Sequence, residues 1–468
     1  NFPYLNNGPK DLIGNSGKGK EYAYRSYFGR VMYSYADRYL FQANIRHDGS
    51  SRFAKKHRWG TFPSFSAGWV LSEENFMKNL NWDWLSFLKI RATWGALGNE
   101  RIGDFPYMST IAFGNTIFYQ NNGIYFDQTA SQQKYAIENV TWEKTESTDI
   151  GLDISFLNNR LRVNGDYYWK NTKDMLLAMA IPDFLGFSDP DVNAGKMSTK
   201  GYELNVSWND HIGDFSYGIA INFSDFTSKM GDLQGTQFLG DKVKMEGSEF
   251  NEWYGYVSDG LFLTEEDLKN SPKINDKNTQ LGDIKYKDIS GPDGVPDGKI
   301  SPEYDRVLLG SSLPHFLYGG NINLGYKNFD LSLAFQGVGK QNARLAREMV
   351  EPFRNNYGNF PAIIDGNYWS PYNTDEQNAV AKYPRLTHVN KSSNYAMSDY
   401  WLFNGGYFRL KNITLGYTFP KEWMNAIGIK GARIYASASD LFCLSKYPKG
   451  WDPEMGVSEY PITTSILL

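Results

Sequence analysis

LYGGNINLGYKNFDLSLAFQ, residues 317–336, writes out one complete β-hairpin. The first arm sets Tyr318, Ile322, Leu324 and Tyr326 on one face, with Gly319, Asn321, Asn323 and Gly325 on the other. After Lys327-Asn328 the second arm repeats the pattern, Phe329, Leu331, Leu333 and Phe335 alternating with Asp330, Ser332, Ala334 and Gln336. Side chains alternate faces along a strand, and a two-residue turn pairs the residues that flank it. Tyr326 is therefore expected opposite Phe329, Leu324 opposite Leu331, and Ile322 opposite Leu333, all on one face. One side is continuously apolar with aromatics near its end, and the other is small and polar. A strand looks this way when lipid lies on one side and a wet lumen on the other.

Two more hairpins obey the same arithmetic. Ile150, Leu152, Ile154 and Phe156 precede Asn158-Asn159, and Leu161, Val163, Tyr167 and Trp169 follow; pairing Phe156 with Leu161 keeps the apolar set together. Their other face carries Asp149, Asp153, Ser155, Arg162, Asn164 and Asp166. Tyr202, Leu204, Val206 and Trp208 likewise register with Phe215, Tyr217, Ile219 and Ile221 across a turn at Asn209 to Asp214. A slip of one residue would turn every side chain over, so three consistent registers are strong evidence for this fold.

Outward from these hairpins, the alternation predicts an all-β chain of thirteen membrane strands. They lie near 23–35, 38–48, 61–71, 86–96, 144–156, 160–170, 200–209, 214–226, 314–326, 329–338, 406–419, 432–442 and 460–468. Residues 1–22 read as a loop remnant and 23–468 as the C-terminal part of a transmembrane antiparallel β-barrel. The connections alternate: 36–37, 72–85, 157–159, 210–213, 327–328 and 420–431 are short, while 49–60, 97–143, 171–199, 227–313, 339–405 and 443–459 are long. Short turns on one rim and long loops on the other are the mark of outer-membrane barrels, whose long loops are extracellular. Thirteen strands ending at number 22 would begin at number 10, which fits by parity the 22-stranded plugged transporters. The competing fold is a soluble propeller or sandwich, in which the apolar face would be buried core.

Composition agrees. Tyr 32, Phe 30 and Trp 13 supply the rings that interfacial girdles require. No stretch approaches the roughly 18 apolar residues of a membrane helix. A net charge of −4 argues against nucleic acid as partner, and the lone Cys443 excludes an internal disulfide framework. The polar, Gly-rich start and a last strand cut in mid-pattern lead us to expect an internal piece of a longer protein, without its export signal.

Enzyme signatures are absent. His47, His57, His211, His315 and His388 show no metal-ligand spacing, and no G-x-S-x-G elbow occurs. Gly14 to Lys20 imitates a phosphate-binding loop, but Glu21 stands where Ser or Thr is needed. In 282–305, GDIKYKDISGPDGVPDGKISPEYD, Asp293, Asp297, Gly298 and Ile300 match positions 1, 5, 6 and 8 of an EF-hand-like loop, with Asp305 near its close. Val295 and Tyr304 break the ligand pattern, so a structural calcium ion on Asp293, Asp297 and Asp305 competes with a plain Asp/Gly turn. No other cofactor is called for. Trp253, Tyr254 and Tyr256 in one long loop, and Tyr357, Tyr368, Trp369 and Tyr372 in another, stand beside carboxylates and amides. Such rings either stack on a ligand, sugar rings included, or pack loop against loop.

Several segments carry a resemblance: SRFAKKHRWGTFPSFSAGWVLSEENF (51–76), KIRATWGALGN (89–99), WEKTESTDIGLDISFLNNRL (142–161), GDIKYKDISGPDG (282–294), FDLSLAFQGVGK (329–340) and YFRLKNITLGYTFP (407–420). Through them the chain resembles, nearly end to end, the SusC/RagA-type TonB-dependent transporters of the Bacteroidota outer membrane. The resemblance implies a 22-stranded barrel with an N-terminal plug, driven by TonB–ExbB–ExbD. It also implies a SusD-like surface lipoprotein closing over the barrel, in a dimer of such pairs. Import of oligosaccharides is the activity expected, with import of peptides, as in the RagA branch, the alternative. A third reading is a β-rich carbohydrate-binding or adhesin-like protein without transport. The plug and the TonB box are not in this sequence, and family members usually end on an aromatic a few residues beyond Leu468.

Overall fold

A computed structural model describes residues 19, 21–120, 123–132, 135–179, 181–235, 237–345, 347–354, 361–455 and 462–467. The segment 1–18, the imitation phosphate loop apart from Gly19, and Tyr357 lie outside the described residues.

Thirteen strands form one antiparallel sheet in which chain order is spatial order. They are β1 (Tyr24–Tyr35), β2 (Tyr39–Ser50), β3 (Trp59–Val70), β4 (Leu85–Asn99), β5 (Glu143–Phe156), β6 (Leu161–Lys173), β7 (Met197–Ile212), β8 (Phe215–Met230), β9 (His315–Tyr326), β10 (Phe329–Lys340), β11 (Tyr407–Thr418), β12 (Arg433–Ser445) and β13 (Ser465–Leu467). The founding hairpin keeps its expected register, Tyr326 opposite Phe329, Leu324 opposite Leu331 and Ile322 opposite Leu333. Phe156 faces Leu161 as expected. One turn is tighter than read: β7 runs on to Ile212, which faces Phe215, leaving only Gly213-Asp214. Gly213 has φ +57°, a left-handed conformation that glycine adopts without strain, so a two-residue turn suffices where a six-residue one was expected.

Adjacent rows show the two faces. Ala92, Ile150, Tyr167 and Tyr202 align across four strands, and Arg91, Gly151, Asp166 and Glu203 align one row over. On the apolar side Ile150, Tyr167, Ile221, Phe329 and Leu415 are all exposed among the described residues. A soluble sandwich would bury this face, so its exposure decides for a membrane barrel. On the polar side Arg91 donates to Asp166 (2.7 Å) and Asp153 (3.3 Å). It reaches Asp166 over Gly151, where any Cβ would collide with the guanidinium and the carboxylate.

The buried apolar clusters lie at the long-loop end. Phe53, Phe62, Ile102, Val140 and Trp142 form one; Met175, Leu177, Met230 and Leu233 another; the largest gathers Tyr256, Leu261, Ile284, Tyr286, Ile300, Leu345, Val350, Tyr395 and Trp401. The long connections are thus folded structures, and the one at 97–143 contains its own hairpin, Ile111–Gln120 with Gly123–Gln132.

The two faces should respond oppositely to charge. Ile221→Arg, on the apolar side of β8, should cost about 2–4 kcal/mol of folding free energy in phospholipid vesicles, whereas Asn205→Lys on the polar side should cost under about 1 kcal/mol. Denaturant titration of vesicle-folded protein measures both, and equal costs would contradict the assignment of faces.

Candidate functional site

Loops 227–313 and 339–405 fold against each other around one carboxylate. Asp283 is fully buried. It accepts from Arg385 Nε (2.7 Å) and Nη2 (3.2 Å), Asn390 Nδ2 (2.8 Å), Asn394 Nδ2 (2.8 Å) and the Gln280 backbone N–H (2.9 Å). Burying a carboxylate is costly unless it is paired and its lone pairs are filled, and here both conditions hold. Asn394 closes the junction from its other end, its Oδ1 accepting from Ile284 N–H at 2.9 Å. Tyr286 Oη donates to Ser393 O and Trp401 Nε1 to Asn394 O. Burial pushes the Tyr286 and Tyr395 phenols well above their ordinary range, so both stay neutral.

Beside this junction opens a cleft of about 600 Å3. Its aromatic lining is Tyr368, Trp369 and Tyr372, and its polar lining includes Glu265, Gln280 and Arg385. The Trp369 indole lies against Gly282, which has φ +81° and no room for a Cβ. The segment carrying the rings is held in shape: Asn373 Nδ2 donates to Tyr368 O, Asn378 exchanges hydrogen bonds with Ser370, and Thr374 with Gln377 forms a capping box. Tyr372 is 97% exposed, so its ring is available from solvent. Rings of this kind next to a guanidinium and a carboxylate suit a ligand that is flat on one face and polar at its rim.

The ring residues picked out in the sequence divide into two groups. Tyr368 and Trp369 meet in the cleft. Trp253 and Tyr256 are buried. Trp253 Nε1 donates to Asn342 O at 2.6 Å under the Lys242 ammonium, 4.6 Å from the ring; burial lowers the pKa of that ammonium. Tyr256 packs on Tyr286, and Tyr254 stacks with the Arg306 guanidinium at 4.4 Å. Trp253 and Tyr256 therefore join loop to loop and show little ring surface to solvent. The junction residues Asp283, Arg385, Asn390 and Asn394 were not singled out, because no periodicity links positions more than a hundred residues apart.

The three aspartates of the calcium pattern do not converge. Asp305 is fully buried, and its oxygens accept from the backbone N–H groups of Ile289 (2.7 Å), Ser290 (3.2 Å) and Ser301 (2.7 Å). Asp297 Oδ1 accepts from Lys299 N–H, while Asp293 stands exposed beside Gly294. Among the described residues no three such side chains gather to hold a metal ion. With Asp305 already filled by amides, these residues do not fit a calcium site as read.

A family model described as TonB dependent receptor-like, beta-barrel matches residues 2–441. TonB-dependent receptor SusC of Bacteroides thetaiotaomicron is 32% identical over 462 residues, covering 95% of this chain and 43% of the relative. TonB-dependent receptor P3 of Formosa agariphila is 31% identical over 453 residues, covering 92% of this chain and 42% of that one. The chain thus spans less than half the length of these relatives, which by name are receptors and not enzymes. A solved structure of the RagAB peptide transporter matches with TM-score 0.76 and 23% identity over 95% of this chain and 46% of that one, a likeness of fold.

Removing the central carboxylate should loosen the loops and spare the barrel. Asp283→Ala leaves Arg385 buried without its partner, which typically costs about 3–5 kcal/mol. Hydrogen exchange should rise in 254–308 and 383–401 and stay unchanged in β5 to β8; uniform exchange everywhere would contradict a local role.

Proposed function

Because the chain belongs to the TonB-dependent receptor-like β-barrel family, we propose that it is the barrel part of an outer-membrane importer of large nutrients, oligosaccharides foremost. The observation that carries the ligand class is the cleft beside Trp369: three rings line one pocket, with Arg385, Glu265 and Gln280 at their edges. A pyranose presents an apolar C–H face to a ring and hydroxyls to its rim, matching this arrangement better than a lone charged group would. In this reading the long-loop rim faces outward, so that the cleft meets ligand before the lumen does.

Import then needs no bond made or broken. Ligand is captured at the loops under a SusD-like lipoprotein lid, in a dimer of such pairs. It then passes a plug that TonB–ExbB–ExbD pulls aside, and enters along the polar inner wall. The ionic row around Arg91 gives that wall hydrogen-bonding groups of both signs. The alternative cargo is a peptide, as the name of the RagAB transporter states for that protein. Glu265, in the polar lining of the cleft, would then meet an amino terminus or a basic side chain.

The deciding experiment is binding by the full-length receptor, isolated with its lipoprotein, to panels of oligosaccharides and of peptides. An oligosaccharide should bind, and Trp369→Ala should weaken it at least about tenfold, ~1.4 kcal/mol. Binding of peptides alone would replace the glycan reading, and a bound glycan indifferent to Trp369→Ala would move its site elsewhere.

A further inference from the structure

The turn between β3 and β4 differs from its neighbours on the short-turn rim. It carries a 3-10 turn at Leu71–Glu73 and a helical turn α1 (Asn75–Lys78), where the next hairpins use two to four residues. Both ends are fastened to the outer wall. The row Tyr39, Trp69, Ile90 and Leu152 lies on the exposed apolar side of the sheet. Glu74 accepts from Tyr39 Oη (2.6 Å) and Trp69 Nε1 (3.0 Å) of that row, and from Arg38 Nη1 (3.0 Å). At the far end Trp82 stacks on Trp84, and Trp84 on Phe156 of the same apolar side. The segment therefore lies against the outside of the barrel and not beneath its lumen.

Held there, it exposes Phe76 (53%), Leu80 (47%), Trp82 (44%) and Trp84 (48%). Trp84 continues the lipid-facing side of the sheet from Phe156, and Trp82 continues it from Trp84. Trp and apolar groups with a polar tip or a nearby charge are the chemistry of the headgroup boundary, and Lys78 paired with Glu73 supplies that charge.

We propose that residues 71–84 form a lipid-surface anchor, with Phe76, Leu80, Trp82 and Trp84 seated in the headgroup–acyl boundary of a phospholipid leaflet. Glu74 is the positioning residue: its three hydrogen bonds set the angle at which the turn leaves β3. That this leaflet is the periplasmic one rests on the orientation proposed above; that the turn meets lipid does not. The anchor would fix the depth of the barrel on that rim, where the hairpins on either side turn in three or four residues.

The test uses the full-length receptor in phospholipid nanodiscs, in a Cys443→Ser background, with a nitroxide at Leu80→Cys or, independently, at Phe76→Cys. Heat-modifiable migration verifies that each variant is folded. Collision with oxygen should exceed collision with a nickel chelate at both positions, relative to a label at Asp214→Cys on a two-residue turn of the same rim. Adding Glu74→Ala should shift both labels toward the Asp214 value. Nickel access equal to that at position 214, or exclusion of both reagents as under a protein cover, would overturn the proposal. Labels unmoved by Glu74→Ala would remove Glu74 from it. Cargo is not measured, so failure here is separate from failure of the import reading.

Discussion

Hydrocarbon offers no hydrogen bonds, so each backbone N–H and C=O that crosses it must find its partner inside the protein. The thirteen-stranded ladder is the answer to that constraint, and the rest of the structure follows from it. Pairing fixes register, register fixes which face each side chain takes, and the face fixes its chemistry. Ile150 and Arg91 sit one row apart yet live in opposite solvents. Past the ladder the constraint lapses, and there the chain turns irregular and builds its hydrophobic clusters.

That division explains what could be read in advance. Strand positions and registers were legible because alternation is local: Leu324 and Leu331 lie seven residues apart and announce each other. The two-residue turn at Gly213-Asp214 was missed because Asn209, Asp210 and His211 are all polar and Asp210 falls on the apolar face, which breaks the alternation before the strand ends. The loops were barely legible. Asp283 and Arg385 are separated by 102 positions, and nothing near either one names the other. Nor does residue type distinguish Tyr256, buried in a cluster, from Tyr372, open to solvent; only the surrounding fold does.

Carboxylates in the loops act chiefly as organisers of backbone and amide groups. Asp305 gathers three N–H groups, and Asp283 gathers two side-chain amides, a guanidinium and one N–H. An Asp/Gly-rich string therefore resembles a cation loop and a tight amide-filled turn equally well. What separates them is whether the oxygens converge on empty space or on nitrogen. Here the buried oxygens of Asp305 meet nitrogen. The same economy holds on the polar wall, where Arg91 spans Gly151 to reach its aspartates.

The junction at Asp283 also bears on how such receptors can be rebuilt. Gly282 is fitted to Trp369 from the other loop, and Asp283 to Arg385, Asn390 and Asn394. The two loops form a single module that happens to be delivered by separate parts of the chain. Exchanging one of them for the counterpart of another receptor would strand a buried charge and displace an indole. A graft intended to transplant ligand choice must carry 227–313 and 339–405 together, as one unit with two attachment points.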